Sequence, residues 1–200
     1  MNDQNLKEIV AAAEFFNTTA KKVLAVDGRL HAETLISGVS RMAGSLMYRS
    51  FGFDKAIEPG TSVLSDEANI HGPKLMNVML TTLQQLGRQI GENDLNRDYL
   101  SAKFSTLDFR ESHDRLAPFF LKYCETAPLG FQPAALGAAV AVASLVHECV
   151  DVLPIENGAA IAVFGFVEGT KTAPFPIAGS PQRTPRSTPV AVKKPWYRFW

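Results

Sequence analysis

The side chains best suited to chemistry gather in one short stretch, LSDEANIHG, at residues 64–72. It combines a hydroxyl, two carboxylates, an amide and an imidazole, and a carboxylate with an imidazole is a common general acid–base pair. The stretch follows a Pro59-Gly60 turn signal and precedes Pro73, which suits the first turn of a helix, so residues 54–72 are interpreted as a loop. The candidate ligand-binding residues are Ser65, Asp66, Glu67, Asn69 and His71. A polar loop that caps the following helix would have the same composition.

The four histidines provide no metal-ligand pattern. Several stand beside a carboxylate, as His147 does beside Glu148, but adjacent residues on a helix point to different faces. The H-E-x-x-H spacing is absent. The sequence therefore predicts no metal site and no cofactor. A small enzyme or ligand-binding domain that uses the 64–72 loop with His31 or His113 remains an alternative.

No nucleophile stands in a turn that would activate it. The G-x-S-x-G elbow and the G-x-x-x-x-G-K-[ST] phosphate loop are both absent, so no catalytic residue is assigned. Cys149 lies next to Glu148 and close to His147, but these helical neighbours diverge. The two cysteines, Cys124 and Cys149, are interpreted as small buried side chains in a reducing compartment.

The strongest functional signal is the segment KKPWYRFW at residues 193–200, which holds both tryptophans of the chain. Large aromatic side chains normally lie inside a protein, and six residues after a proline cannot form a core. The segment is therefore expected to bind something. Its candidate binding residues are Lys193, Lys194, Trp196, Tyr197, Arg198, Phe199 and Trp200.

Charge is divided unevenly between this segment and the rest of the chain. Residues 1–168 carry 14 basic and 20 acidic side chains, a net charge of −6, whereas residues 169–200 carry six basic and no acidic ones. Such asymmetry indicates a basic tail with its own partner, or a tail that folds back on the acidic body.

Three partner classes suit a basic and aromatic segment. A groove on another protein would accept Trp and Tyr as rigid anchors, and an anionic membrane surface would attract the cations. Single-stranded nucleic acid is the least favoured partner. We expect a non-catalytic interaction or adaptor protein that presents residues 195–200 to a protein partner; the sequence does not predict an oligomeric state.

The apolar spacing predicts a mainly α fold, a compact bundle of about five helices with an extended C-terminal tail. Small residues at 37–45 predict that another helix approaches the second one closely. The predicted helices cover Leu6 to Leu24, Leu35 to Met47, Pro73 to Gly91, the stretch after a Ser112 cap in which Pro118 disturbs or delays the first turn, and Pro133 to Val150.

Residues 150–167 leave the fold class partly open. Asn157-Gly158 between apolar runs is a β-hairpin signal, but a buried helix over 159–167 fits the same residues equally well.

Proline content then divides the chain. The sequence predicts a helical domain at 1–170, a proline-rich basic linker at 171–194 and an aromatic tip at 195–200. The first ten residues contain no apolar run, and the longest apolar stretch, 134–146, is shorter than a membrane span, so a cytoplasmic protein is expected.

Overall fold

The computed structural model describes residues 3–53 and 57–177, and these residues form α-helices with no strand. Three short 3-10 turns lie between residues 92 and 104. The mainly α prediction is confirmed, with one helix more than expected. The helices are α1 (Asp3–Leu24), α2 (Ala32–Arg49), α3 (Asp66–Gln85), α4 (Phe109–Thr126), α5 (Phe131–Glu148) and α6 (Ile155–Thr170).

The stretch that the sequence left open is helical. Asn157 and Gly158 lie in the first turn of α6, so the helix alternative is correct and the hairpin alternative is wrong. Gly158 is buried close to side chains of α2 and α5, Ile36 and Val146. A helix pairs its backbone groups internally, whereas an isolated hairpin in this position would be marginally stable.

Helix α3 is displaced toward the N-terminus from its predicted position. It begins at Asp66, so the loop prediction is wrong for residues 66–72, and Pro73 lies inside the helix. Ser65 caps the helix by accepting a 3.2 Å bond from the backbone N–H of Ala68. At the other end Gly87, with a φ of +82°, ends the helix in place of Gly91, because Arg88 N–H bonds to Leu83 O in the pattern of a Schellman motif.

Helix α4 also begins earlier than the sequence suggested. Asp108 caps it, with reciprocal bonds between Asp108 and Glu111, so the Ser112 cap is wrong. Pro118 lies in the helix interior, where it removes one backbone hydrogen bond without ending the helix. The capping box outweighs the proline because it satisfies two backbone donors at the true start.

Helix α2 forms the centre of the bundle. Every residue from Thr34 to Tyr48 is buried, and α2 makes its most extensive contacts with α6 and α5. Gly44 explains the close approach of α6: a Cβ added there would lie 2.6 Å from Phe166 O and 2.7 Å from Gly169 Cα. The prediction that small residues mark a close helix neighbour is confirmed for this pair.

Helices α1, α4 and α5 complete the core. Gly137 of α5 allows contact with α1, because an added Cβ would lie 2.9 Å from Ile9 O. Phe16 of α1 stacks on Phe120 of α4 at 4.2 Å between ring centroids. Among the helices of the described residues, none has the length and apolar character needed to cross a membrane.

Candidate functional site

The residues predicted to bind a ligand around position 68 form the start of a helix. Asp66, Glu67 and Asn69 are exposed, and the two carboxylates lie in the first turn of α3, where the helix dipole favours them. His71 Nδ1 lies 3.0 Å from Lys74 Nζ, and its ring lies 5.7 Å from that of Phe51. Helix capping and the helix dipole therefore account for Ser65, Asp66 and Glu67, whereas a ligand-binding role of the stretch stays a prediction.

The histidines that the sequence paired with this stretch lie elsewhere. His31 caps α2 by accepting a 3.3 Å bond from Thr34 N–H. His113 is buried on α4. Within residues 3–53 and 57–177, no hydrogen bond or ring contact joins either histidine to the 65–71 stretch. The seven candidate residues of the tail, Lys193 to Trp200, lie outside the described residues.

A fully buried arginine connects three parts of the bundle. Arg41 of α2 is 1% exposed, and its Nε donates a 2.6 Å bond to the Glu168 carboxylate of α6. Its Nη1 donates to Leu107 O at 2.6 Å and to Ser112 Oγ at 3.1 Å. Its Nη2 has no partner among the described atoms. This network fixes α2 against α6 and against the start of α4.

The chain beyond α6 is held against the bundle by residues 171–177, here called the anchor segment. Lys171 O accepts a 2.7 Å bond from Val63 N–H. Ala173 forms two further backbone bonds, with Gly60 at 2.8 Å and Thr61 at 2.9 Å, and is buried. The anchor segment therefore adds a short paired stretch to the helical body.

Phe175 packs between two groups of α4. The Arg110 guanidinium lies 5.1 Å from the Phe175 ring centroid, within the range of a cation–π contact. On the other side the rings of Phe109 and His113 lie 6.1 Å from it. These contacts cover the His113 imidazole.

Two polar side chains beneath Phe175 are incompletely satisfied. Arg49 Nη2 donates a 3.2 Å bond to Phe175 O and lies 3.5 Å from His113 Nε2, whereas Arg49 Nε and His113 Nδ1 are buried without a partner in the described structure. Burial, followed by the charge of Arg49, lowers the pKa of His113 to about 4. The imidazole is therefore neutral at neutral pH.

Two cavities flank the anchor segment. The larger cavity has a volume of about 390 Å³, and four charged residues are among those that line it: Asp108, Arg110, Glu168 and Lys171. Three of these are already engaged, since Asp108 caps α4, Glu168 holds Arg41 and Arg110 lies over the Phe175 ring. The smaller, of about 280 Å³, lies at the end of α2 and contains Arg49 among aromatic and apolar residues.

Sequence reasoning missed both arginines and Phe175. A signal for Arg49 was present: Met42, Leu46 and Arg49 continue the apolar stripe of α2 at steps of four and three, which places a cation on the buried face. Proline-rich composition placed Phe175 in the predicted linker, with packing of residues 173–179 on the domain left as an alternative.

Among the described residues, no three His, Cys, Asp or Glu side chains lie close enough together to hold a metal ion. Burial raises the pKa of the Cys124 thiol to about 11, so this cysteine is not an activated nucleophile. Comparison with protein-family models, with curated proteins and with solved structures finds no match to this chain.

Proposed function

We propose that this protein is a non-catalytic interaction or adaptor protein of the cytoplasm, which presents the basic and aromatic segment 193–200 to a protein partner. The observation that carries the proposal is that both tryptophans lie in one segment together with three cations. No acidic residue follows Glu168 in the sequence, so the segment stands in a purely basic part of the chain. Trp, Tyr and Arg are the residues that most often dominate protein interfaces.

The anchor segment supports the proposal by giving the tail a defined origin. Three backbone hydrogen bonds and the packing of Phe175 hold the chain to the body up to residue 177. The 17 residues from 178 to 194, if they behave as a coil, reach roughly 20–25 Å from that origin. The tip would then be tethered beside the body at a high local concentration.

The expected affinity is modest. Burying each of the two tryptophans contributes about 2–3 kcal/mol, and each of the three nearby cations adds up to about 1 kcal/mol against an acidic rim, for a gross gain of at most about 7–9 kcal/mol. Ordering the tip and losing its translational freedom reduce this gain. Binding in the micromolar range or weaker is expected, which suits reversible association.

The decisive experiment removes residues 195–200. The truncated chain is expected to melt at the same temperature as the full chain and to lose the partner recovered with the full chain. The substitutions Trp196→Ala and Trp200→Ala should reproduce this loss, whereas Arg183→Gln, a charge change elsewhere in the tail, is the matched control and should retain the partner.

Two other outcomes identify the competing interpretations. If the tip docks on its own acidic body, its tryptophan emission is blue-shifted in the purified protein, and the deletion lowers the melting temperature by several degrees. If it docks on a membrane, the full chain sediments with vesicles of anionic lipid and the double Trp variant does not. Either result would replace the protein-partner proposal.

A further inference from the structure

The end of α2 holds a cation, Arg49, for which the described part of the chain shows no neutralising partner. Arg49 is half-buried, and within residues 3–53 and 57–177 no carboxylate forms an ion pair with it. Its only described hydrogen bonds are the 3.2 Å bond from Nη2 to Phe175 O and the long 3.5 Å contact with His113. Buried charges are normally paired or neutralised, so this guanidinium requires an explanation.

Two titratable groups described near Arg49, His113 and Cys124, do not supply a negative charge. His113 is neutral at neutral pH because its pKa is about 4, and Cys124, whose thiol interacts electrostatically with Arg49, is protonated because its pKa is about 11. The C-terminal end of α2 offers partial negative charge from its carbonyls. That dipole offsets part of the desolvation cost, but it provides no carboxylate-like acceptor for the guanidinium fork.

Arg49 lines a cavity of about 280 Å³ whose other walls are mostly apolar. The aromatic side chains come from three places: the end of α2, the stretch after it and the start of α5. Phe131 is 38% exposed, a large apolar ring at the cavity mouth. The cavity is lined by Tyr48, Phe53, Ile57, Phe131 and Pro174.

We propose that this cavity binds a small organic carboxylate, with its carboxylate on Arg49 and its apolar body against Phe53, Phe131 and Pro174. A guanidinium binds a carboxylate through charge-assisted N–H···O bonds, and Arg49 lines the cavity although its Nη2 also donates to Phe175 O. The volume is slightly below that of pockets for drug-sized ligands, so the ligand is a single-ring or short-chain acid rather than a nucleotide.

An aromatic acid fits these walls best. Tyr48 and Phe53, which both line the cavity, already pack edge-to-face at 5.1 Å between ring centroids. A ligand ring can join this arrangement in the offset or edge-to-face geometry that aromatic pairs prefer. Benzoate is therefore the probe, and benzyl alcohol, which has the same ring without the charge, is its matched control.

The chain itself contains one competing anion. Asp54 follows Phe53 directly and lies outside the described residues. If the Asp54 carboxylate occupied Arg49, the cavity would be closed by the protein's own side chain. The substitution Asp54→Asn separates this internal ion pair from an external ligand.

The experiment measures melting temperature and binding enthalpy of the full chain with each probe. Benzoate at roughly ten times its dissociation constant should raise the melting temperature by a few degrees, and benzyl alcohol should leave it nearly unchanged. Arg49→Gln should weaken benzoate binding roughly tenfold to a hundredfold, since it removes a charge-assisted pair. Arg115→Gln removes the same charge from an exposed site on α4 and should bind benzoate like the parent protein.

A second variant keeps the test decisive if Arg49→Gln fails to fold. Phe131→Ala changes a side chain at the surface, so it should fold and bind benzoate several-fold more weakly. The proposal is overturned if neither variant weakens benzoate binding, or if the alcohol acts like the acid. It is also overturned if Asp54→Asn and Arg49→Gln each lower stability and their effects are not additive, because Arg49 then pairs with Asp54. None of these readouts depends on the tail, so the result is independent of the adaptor proposal.

Discussion

At the scale of single residues, the two arginines of α2, Arg41 and Arg49, differ in the partners that they contact. Arg41 has a carboxylate partner, Glu168, and three carbonyl or hydroxyl acceptors, whereas within the described residues Arg49 has one carbonyl acceptor and a weak contact with an imidazole. A buried arginine paired with a carboxylate holds elements together, and one without a described carboxylate at a cavity is expected to receive a ligand. The two arginines of α2 therefore have different expected roles although they lie eight residues apart on one helix.

His113 makes the stability of the protein depend on pH. Its pKa is lowered from 6.5 to about 4 in the folded state, so between these values the unfolded chain binds a proton that the folded chain does not. The free energy of unfolding therefore has the full contribution of neutral His113 above about pH 6.5. This contribution is lost progressively as the pH decreases toward 4. The expected loss is up to about 3 kcal/mol.

The substitution His113→Phe should remove this part of the pH dependence. Urea unfolding followed by far-ultraviolet circular dichroism at pH 7, 5.5 and 4 gives the comparison. The variant should lose less stability than the parent over this range. Leu121→Ala, which removes a buried side chain farther along α4, should lower stability at every pH without changing the slope. Parallel curves for the parent and His113→Phe would show that burial does not control this imidazole.

At the scale of elements, the contact between α2 and α6 depends on glycine. The added Cβ at Gly44 would meet backbone atoms of Phe166 and Gly169, which cannot rotate away as a flexible side chain can. Gly72 of α3 is a contrasting case, because its nearest neighbour would be Thr170 Oγ1 at 3.5 Å, an ordinary contact. The same substitution is therefore expected to cost less stability at Gly72 than at Gly44.

Gly44→Ala should lower the free energy of unfolding by about 1–3 kcal/mol, since α6 must move away from α2. Gly72→Ala should change it by less than about 1 kcal/mol, because the helix propensity of alanine is offset by Pro73, which disfavours a Cβ on the helical residue before it. Denaturant midpoints of the two variants, measured side by side, test this. A stabilising Gly44→Ala would mean that the two helices do not approach this closely.

At the scale of the whole molecule, the position at which the folded body ends determines how the tail is held. Ala173 is buried, Phe175 packs on α4, and three backbone bonds join the anchor segment to residues 60–63. These contacts lie beyond the 170/171 boundary suggested by composition. The separation into domain, linker and tip remains a prediction for residues 178–200.

Two truncations test this view of the body. A chain ending at residue 177 should melt like the full chain, whereas one ending at 170 should lose about 2–4 kcal/mol of stability, because it loses the burial of Phe175 and Ala173 and their backbone bonds. This corresponds to a melting temperature several degrees lower. Equal melting of both truncated chains would show that the anchor segment does not stabilise the bundle.

The sequence by itself determined the helical class, most of the helices and the division of charge. These properties are local: a period of three to four apolar residues defines an amphipathic helix in any tertiary context, as along α1 and α2. The starts of α3 and α4 were predicted too late in the sequence. Pro73 and Ser112 are weaker start signals than the caps Ser65 and Asp108. Those caps were readable from the sequence as well.

Only the tertiary structure decided which faces meet. It packed Gly158 at the start of α6 against α2 and α5, which favours the helix over the hairpin, and it brought Phe175 onto His113, 62 positions away in the sequence. It also placed Arg49 in a cavity without a described carboxylate. Burial and charge pairing depend on groups distant along the chain, so no local pattern contains them, and the candidate site emerged only when the helices were packed.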